Sequence, residues 1–261
     1  MFKQTHILNS VLDVKNLIRN TGISCIVAYA LSFNLPSGRL DFSLGAQRVV
    51  GTIIGGNFAL YLGLSGVWVL LFSIVFGIIF GFITGYVFVL TRINPMVLGI
   101  GMGLIFECIA FVSTKGVGLD LFGVPGVSIL TNELFTMGTI AVTALIVLLV
   151  TGYTRFGYNL RAIQGSQAIA QGAGINVFKN AVVCYTFSGG LVCVAGTLDA
   201  ALNNQMESTM GFSSQGPVMT HFFSMQLGGY LAKWSNMPIG IIVASLTLRI
   251  FTTLLIRFEL D

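Results

Sequence analysis

Long stretches without a charged residue constrain what this chain can fold into. Asp, Glu, Lys and Arg are all missing from four segments, residues 49–91, 134–154, 180–198 and 208–232. A helix needs about 20 apolar residues to cross the hydrocarbon core of a bilayer. The first segment is about twice that length, so we expect it to fold back once, near residues 57–66, and to form two spans. The chain is therefore predicted to be an all-α, polytopic membrane helix bundle.

The overall composition agrees with this prediction. Hydrophobic residues make up 55% of the 261 residues and charged residues 8%, whereas soluble domains carry about 25% charged residues. Glycine is abundant, at 32 residues, and small residues let the backbones of membrane helices approach closely. Gly77, Gly81 and Gly85 recur at every fourth position and form one stripe along a helix, which indicates close helix packing.

About eight transmembrane helices are expected, preceded by a short amphipathic helix. Residues 7–18 place apolar side chains at helical spacing beside Lys15 and Arg19, which is typical of a helix lying at the membrane interface. We expect residues 1–261 to form a single transmembrane domain in the cytoplasmic membrane. The predicted spans are residues 22–35, 42–62, 67–91, 93–113, 134–153, 181–201, 216–231 and 237–258.

Several classes of function have no support in the sequence. The motifs GxxxxGK[ST], HExxH and GxSxG do not occur, so we expect no catalytic residues, no bound cofactor and no ATPase site in this chain. The four cysteines lie in apolar segments without CxxC spacing and are predicted to be buried free thiols rather than metal ligands. The net charge of +4 comes from scattered residues, which does not favour nucleic-acid binding. The N-terminal residues lack the pattern of a cleavable signal peptide.

Four charged residues lie in or beside the predicted spans, namely Asp41, Arg48, Glu107 and Asp199. An unpaired charge is costly in the membrane and usually faces a partner or water. Asp41 and Arg48 are seven residues apart and would share a helix face if one helix is continuous through both. Two interpretations stay open, a structural one (a buried pair or an interfacial anchor) and a functional one (a polar lining along a solute route).

The segment of residues 154–179 stands out between two predicted spans. It is polar yet rich in Ala and Gly, with basic residues at both ends. Basic residues concentrate in short cytoplasmic loops, and simple alternation of spans then places Arg39, Arg92 and Lys233 on the same side. The segment is either an ordinary interfacial loop or a short element that inserts into a groove of another protein.

Two motifs resemble the permease subunits of sugar-type ABC importers, the ribose-permease group. Residues 38–45 (GRLDFSLG) are similar to the signature G-x-[IL]-D-[LF]-S-[VL]-G, through Asp41, Ser43 and Gly45. Residues 154–157 (TRFG), 162–163 (AI) and 174–177 (GINV) are similar to the cytoplasmic element of that family. The chain departs from the family pattern at residues 164–167 (QGSQ).

The resemblance implies a permease that imports a sugar or sugar-like solute. It implies three kinds of partner, a second permease subunit (identical or different), two ABC ATPase subunits that bind ATP and an extracytoplasmic solute-binding protein. It also implies that residues 154–179 are a cytoplasmic coupling segment that docks into the ATPase. The residues expected to couple are Arg155, Gly157, Arg161, Ala162, Ile163, Gly165, Ala173, Gly174, Ile175 and Asn176.

Other transport functions stay open at this stage. The same importer architecture carries other solutes, such as a branched amino acid or a nucleoside, and much of the selection lies in the external binding protein. A secondary transporter that acts alone is the alternative from another class. It would carry intramembrane ionisable relays or inverted repeats, and neither is clear in this sequence.

Overall fold

The computed structural model describes the backbone of residues 11–257 and the side chains of residues 14–255. Within these residues the chain is almost entirely helical. Its helices are α1 (Val11–Asn34), α2 (Leu44–Tyr61), α3 (Val67–Thr91), α4 (Pro95–Thr114), α5 (Val127–Thr131), α6 (Glu133–Tyr153), α7 (Arg155–Gly165), α8 (Gln167–Gly172), α9 (Val177–Asn203), α10 (Gln215–Met219), α11 (Phe222–Leu231) and α12 (Met237–Arg257). A 3-10 turn (Leu35–Ser37) follows α1, and two short strands, β1 (Leu119–Asp120) and β2 (Gln205–Met206), pair antiparallel.

Among the described residues, five helices are long and apolar enough to cross a membrane, namely α3, α4, α6, α9 and the Met237–Leu255 part of α12. They correspond to the predicted spans at 67–91, 93–113, 134–153, 181–201 and 237–258. The helices α1 and α2, with 24 and 18 residues, reach about 36 and 27 Å at 1.5 Å per residue. Their length suits a span, but both carry charged or amide side chains that lower their mean hydropathy. The all-α membrane bundle is confirmed, whereas the count of eight spans is not.

The predicted span at 216–231 is broken into two short helices, α10 and α11. The 10 residues of α11 cover only about 15 Å, roughly half of the hydrocarbon thickness. Thr220 and His221 lie outside both helices and form the break. The hydroxyl of Thr220 donates to the carbonyl oxygen of Pro217 at 2.7 Å, which turns the chain locally. The predicted single span at 216–231 is therefore wrong, although this charge-free run is long enough to cross the membrane.

The predicted interfacial helix at 7–18 is not a separate element in the part that the structure describes. Residues 7–10 lie outside the described residues, and from Val11 onward one helix continues to Asn34. The amine of Lys15 contacts the carboxylate of Glu133 at 2.9 Å. Gly22 lets Ile140 of α6 approach so closely that a methyl group there would overlap its side chain. These contacts pack α1 beside α6 rather than along the membrane surface.

The centre of the bundle is α9, which is buried along most of its length and packs against α1, α2 and α3. The helix α9 lies closest to α3, and the predicted glycine stripe on α3 explains this contact. Methyl groups on Gly77, Gly81 and Gly85 would overlap the backbone or side chains of residues on α9. The absence of side chains on this face lets the two helix backbones approach, as the sequence predicted.

All four cysteine thiols are free, as predicted. Three of them are buried, Cys25 on α1 and Cys184 and Cys193 on α9. Cys108, in contrast, is exposed on α4, so the prediction that all four are buried is wrong for this residue. An apolar face of a membrane helix can be turned toward lipid, so an apolar sequence environment is not the same as burial in protein.

Candidate functional site

The predicted coupling segment begins with a sharp turn between α6 and α7. The hydroxyl of Thr154 caps α7 by accepting a hydrogen bond from the amide of Gly157 at 3.2 Å. A methyl group on Gly157 would overlap the carbonyl oxygens of Val150 and Thr151 at the end of α6. The turn is therefore possible because residue 157 has no side chain, which is the physical reason for a glycine in the TRFG motif.

The two short helices α7 and α8 form a layer with one buried and one exposed face. Leu160, Ile163 and Ala170 are buried against the bundle, and so is Gly157. Ile175 is half-buried. On the outer side, the side chain of Ile169 is 75% exposed. The other predicted coupling residues are also exposed, namely Arg155, Arg161, Ala162, Gly165, Ala173, Gly174 and Asn176.

The predicted set thus falls into two groups. The exposed residues form an outer surface that is small and apolar around α8 and basic at α7. The buried residues Gly157 and Ile163 hold the layer in place and cannot touch another protein in this arrangement. Exposed small and apolar residues on a short helical element are suited to a groove on a partner.

Two glutamines that depart from the family pattern connect this layer to the rest of the chain. Gln167 donates from Nε2 to the carbonyl oxygen of Ser37 at 2.6 Å. Gln164 reaches the carbonyl oxygen of Ser32, near the end of α1, at 3.5 Å. Sequence reasoning did not select these glutamines, because a partner 130 residues away along the chain leaves no local signal.

The signature motif lies next to this connection, in residues 38–43 between the 3-10 turn and α2, here called the signature loop. Asp41 is buried, and its Oδ1 accepts hydrogen bonds from the amide and hydroxyl of Ser43 at 2.8 and 2.6 Å. Gln47 donates from Nε2 to the hydroxyls of Ser43 at 2.7 Å and Thr84 at 3.2 Å. These bonds fix the start of α2 against α3.

The motif glycine, Gly45, contacts the segment that precedes α10. Its amide donates to Oε1 of Gln215 at 2.9 Å, and a methyl group on it would overlap the carbonyl of Ser214. The signature residues Asp41, Ser43 and Gly45 therefore lie together, at the junction of the α7–α8 layer, α2 and the broken α10–α11 segment.

Several buried polar atoms at this junction have no hydrogen-bond partner among the described residues. They are Oδ1 of Asn34, the hydroxyl of Ser37, Nε of Arg39, Oδ2 of Asp41, Oε1 of Gln47 and the hydroxyl of Tyr185. Buried polar groups without a protein partner usually bind water or a ligand. The junction is therefore a polar region within the bundle.

Arg48 pairs with Asp199 of α9 and not with Asp41. Its guanidinium and the carboxylate of Asp199 form a direct ion pair across α2 and α9. The expected shared face of Asp41 and Arg48 fails because α2 begins only at Leu44, after its N-cap Ser43. The Asp199 side chain is 38% exposed and that of Arg48 11%, so the pair is accessible from outside this subunit.

The carboxylate of Glu107 is bound by backbone and side-chain donors of this chain. It is buried on α4, and its two carboxylate oxygens accept hydrogen bonds from the amide of Phe212 at 2.6 Å, the amide of Ser214 at 2.9 Å and the hydroxyl of Ser214. The carboxylate thereby fixes the turn that leads into α10. Since both oxygens are occupied, the prediction that Glu107 lines a route has no support in this geometry.

No group of three or more His, Cys, Asp or Glu side chains that could hold a metal ion occurs in the part of the chain that the structure describes.

Comparison with known proteins identifies the type of chain that carries these features. A family model described as "Branched-chain amino acid transport system / permease component" matches residues 14–259. The ribose import permease protein RbsC of Escherichia coli is 23% identical over 256 residues, covering 92% of this chain and 76% of that protein. RbsC of Bacillus subtilis is 25% identical over 228 residues, covering 84% of this chain and 68% of its own length.

Two further matches are more limited. The galactose/methyl galactoside import permease protein MglC of Haemophilus influenzae is 35% identical over 72 residues, 28% of this chain and 21% of that protein. The solved structure of PsaBC from Streptococcus pneumoniae in complex with Fab aligns with a TM-score of 0.43 at 14% identity, covering 94% of this chain and 91% of that chain. The resemblance to permeases of sugar-type ABC importers is confirmed by the sequence comparisons.

Proposed function

We propose that this chain, which belongs to the permease-component family of branched-chain amino acid transport systems, imports a sugar or sugar-like solute as one subunit of an ABC importer. The chain is a multi-pass protein of the cytoplasmic membrane. The sugar assignment is supported by relatives that are ribose import permeases and match most of the chain. The observation that carries the coupling mechanism is the exposed α7–α8 layer bonded to Ser37, the residue directly before the signature loop.

The α7–α8 layer, within residues 154–179, is proposed as the coupling segment of a single permease domain. Its outer surface combines the exposed Ile169 with small residues such as Gly165 and Gly174. A groove on an ATPase subunit can enclose such a surface closely. The chain has no P-loop motif of its own, so ATP would bind to that separate subunit. A second permease subunit and an extracytoplasmic solute-binding protein complete the proposed importer.

Movement of the coupling segment would reach the signature loop through the bond from Gln167 to the carbonyl of Ser37. That loop leads directly into α2, whose start is held to α3 by Gln47 and Thr84. Closure of the ATPase pair would therefore shift α2 together with the coupling layer. A rigid-body movement of this kind changes which side of the membrane the route opens to.

The accessible ion pair of Arg48 and Asp199 is proposed to line the solute route. Asn203 adds an amide side chain beside this pair, donating to Asp199 at 3.3 Å. Charged and amide side chains at membrane depth usually face a water-filled cavity or a partner. A polar surface of this kind can exchange hydrogen bonds with the hydroxyl groups of a sugar.

Replacing Gly165 tests the coupling mechanism. Nothing lies within 4 Å of the position where a side chain would begin, so Gly165→Trp is expected to fold while blocking the docking surface. Uptake of ribose or galactose into proteoliposomes should fall by about 5- to 150-fold, the range of typical coupling energies. ATP hydrolysis by the same complex should continue, because the ATPase site is on another subunit.

Gly101→Trp is the matched control, since Gly101 also lies in a helix with open space around it but on α4, away from the coupling layer. Both variants should purify in equal amounts. Unchanged uptake in Gly165→Trp would contradict the proposed docking. Gly174 is less suitable for this test because its φ of +81° disfavours any side chain.

A branched-chain amino acid is the second candidate solute, since the description of the matched family names that class. Competition between leucine and sugars for uptake distinguishes the two candidate solutes. Excess leucine should leave ribose and galactose uptake unchanged if the solute is a sugar. Uptake of leucine itself that the sugars fail to inhibit would assign the second candidate. Uptake of either solute in the absence of an ATPase subunit would instead identify a secondary transporter.

A further inference from the structure

A cleft of about 610 Å³ lies at the end of the bundle that carries α7 and α8. It is here called the basic cleft. Its walls come from the signature loop, the turn between α3 and α4, the helix α8 and the start of α9. The side chains that carry the argument are Arg39, Arg92, Asn94, Gln167, Gln171 and Phe178.

Arg39 lines this cleft although only 3% of its surface is exposed. Its Nε has no hydrogen-bond partner among the described residues. Its NH2 group contacts the sulfur of Cys184 at 3.7 Å, and a thiol is a weak acceptor. The ion pairs among the described side chains are Lys15 with Glu133 and Arg48 with Asp199, so neither involves Arg39. A buried guanidinium without an anion is strongly unfavourable.

A second arginine, Arg92, lines the same cleft. Arg92 lies in the turn between α3 and α4 and is exposed, with its guanidinium 5.3 Å from the centre of the Phe178 ring. No Asp or Glu is among the described residues that line the cleft. Both arginines therefore line a cavity without any negative charge of its own among the described residues. Arginine binds phosphate oxygens through its planar fork of N–H donors.

The surroundings of the cleft indicate which phosphate compound fits. Arg92 lies between two membrane-crossing helices, just after α3 ends at Thr91 and just before α4 begins at Pro95. This position is the level of the lipid headgroups. The apolar side chains around it are exposed, including Leu90 at 64% and Val97 at 62%. An amphipathic ligand would place its phosphate in the cleft and its acyl chains along these side chains.

We infer that the basic cleft binds the phosphate group of an anionic phospholipid, held by Arg39 and Arg92. Basic pockets between transmembrane helices on the cytoplasmic side are suited to such headgroups. The lipid would supply the anion that Arg39 lacks among the described residues. It would also join α8 to the α3–α4 turn, since Gln167 and Gln171 of α8 form one wall. This inference does not depend on the identity of the transported solute.

Native mass spectrometry of the detergent-purified chain tests the inference with phosphatidylglycerol as the probe and phosphatidylcholine as the zwitterionic comparison. Arg92→Gln is the main variant, because this exposed side chain makes no side-chain hydrogen bond within the described residues and its replacement should not disturb folding. Each basic residue near the surface contributes about fivefold to binding of anionic lipid. We expect the affinity for phosphatidylglycerol to fall about fivefold in Arg92→Gln, with no change for phosphatidylcholine.

Lys233→Gln is the matched control. Lys233 is exposed at the α11–α12 turn, and its amine lies 5.4 Å from the centre of the Tyr230 ring, outside the basic cleft. This variant should keep the affinity of the unmodified chain. Equal binding of phosphatidylglycerol to the unmodified chain and Arg92→Gln would overturn the inference, as would equal binding of the two lipids.

Two further outcomes would assign the cleft to another ligand. If glycerol phosphate displaces phosphatidylglycerol at equal concentration, the site recognises free phosphate compounds and not a lipid. If Arg92→Cys in the native complex forms a cross-link to an ATPase subunit and phosphatidylglycerol does not protect it, the cleft is part of the ATPase contact. Both results would contradict the lipid assignment.

Discussion

Arg48 and Asp199 neutralise each other between α2 and α9, where each charge alone would be costly. Gly196 makes this contact possible, because a methyl group there would overlap the Arg48 side chain and the hydroxyl of Thr52. The arginine can therefore lie flat against α9 and reach the carboxylate one turn further along. The pair has both a structural role and the accessibility that a route-lining role needs.

Separating this pair should destabilise the chain more than removing it completely. Asp199→Asn leaves the mostly buried Arg48 without its anion, and we expect a loss of about 1–3 kcal/mol in the free energy of unfolding in detergent. The double variant Arg48→Gln with Asp199→Asn should recover part of this loss, because no unpaired charge remains. A double-mutant cycle measured by thermal unfolding gives the coupling energy. Strictly additive effects would mean that the two side chains do not interact.

At this scale the sequence singled out charged residues in apolar segments but could not predict which residues they contact. Asp41, Arg48, Glu107 and Asp199 were identified because charges are rare in apolar segments. Their partners are far away in the sequence, as Asp199 is from Arg48 and Ser214 is from Glu107, separated by 151 and 107 residues. A single sequence contains no signal for such pairings. The local expectation that Asp41 and Arg48 share a helix failed, because Ser43 begins a new helix between them.

At the scale of elements, the contact between α3 and α9 depends on backbone approach. Gly81 lies directly against the carbonyl oxygen of Tyr185, and Gly77 lies against the carbonyl of Gly189. Every fourth residue of α3 therefore offers a flat surface to the central helix. Packing of this kind replaces the hydrophobic driving force, which is weak between helices inside a bilayer.

Gly81→Ala tests this packing with the smallest change available. The added methyl group would overlap the Tyr185 carbonyl, and since that group is backbone, the two helices have to move apart. We expect a loss of about 1–3 kcal/mol, the usual cost of overpacking. Gly101→Ala has open space around it and should be neutral. Thermal stability of the purified variants in one detergent provides the measurement, and equal melting temperatures would contradict the packing described here.

Elements with a strong periodic or apolar signal were predictable, and broken elements were not. The spans that became α3, α4, α6, α9 and α12 were predicted from length and hydropathy. The break at Thr220 and His221 carries no charge, so hydropathy missed it. Glu107 of α4 holds the turn before α10, and Gln215 of α10 accepts a hydrogen bond from the amide of Gly45. The prediction of a separate interfacial helix at residues 7–18 was wrong for a related reason. Its amphipathic pattern also suits a helix that packs beside α6.

At the scale of the whole molecule, the two ends of the bundle have different functions in this account. One end carries the coupling layer, the signature loop and the basic cleft. At the other end, β1 and β2 pair through Leu119 with Met206 and Asp120 with Gln205. The resemblance of two short motifs predicted a coupling role for residues 154–179, and the structure added the bond from Gln167 to Ser37, directly before the signature loop. The basic cleft had no sequence signal, because its walls come from four separate parts of the chain.

The most direct test of the central claim is to purify the chain from its native membrane and identify the proteins that accompany it. We expect an ATPase with a P-loop and a second permease subunit to copurify with the chain. Both should be lost when residues 154–179 are disrupted. Solute uptake by the purified complex should then require ATP. Recovery of the chain by itself, with solute transport in liposomes that needs neither ATP nor a partner, would contradict the assignment as an ABC importer subunit.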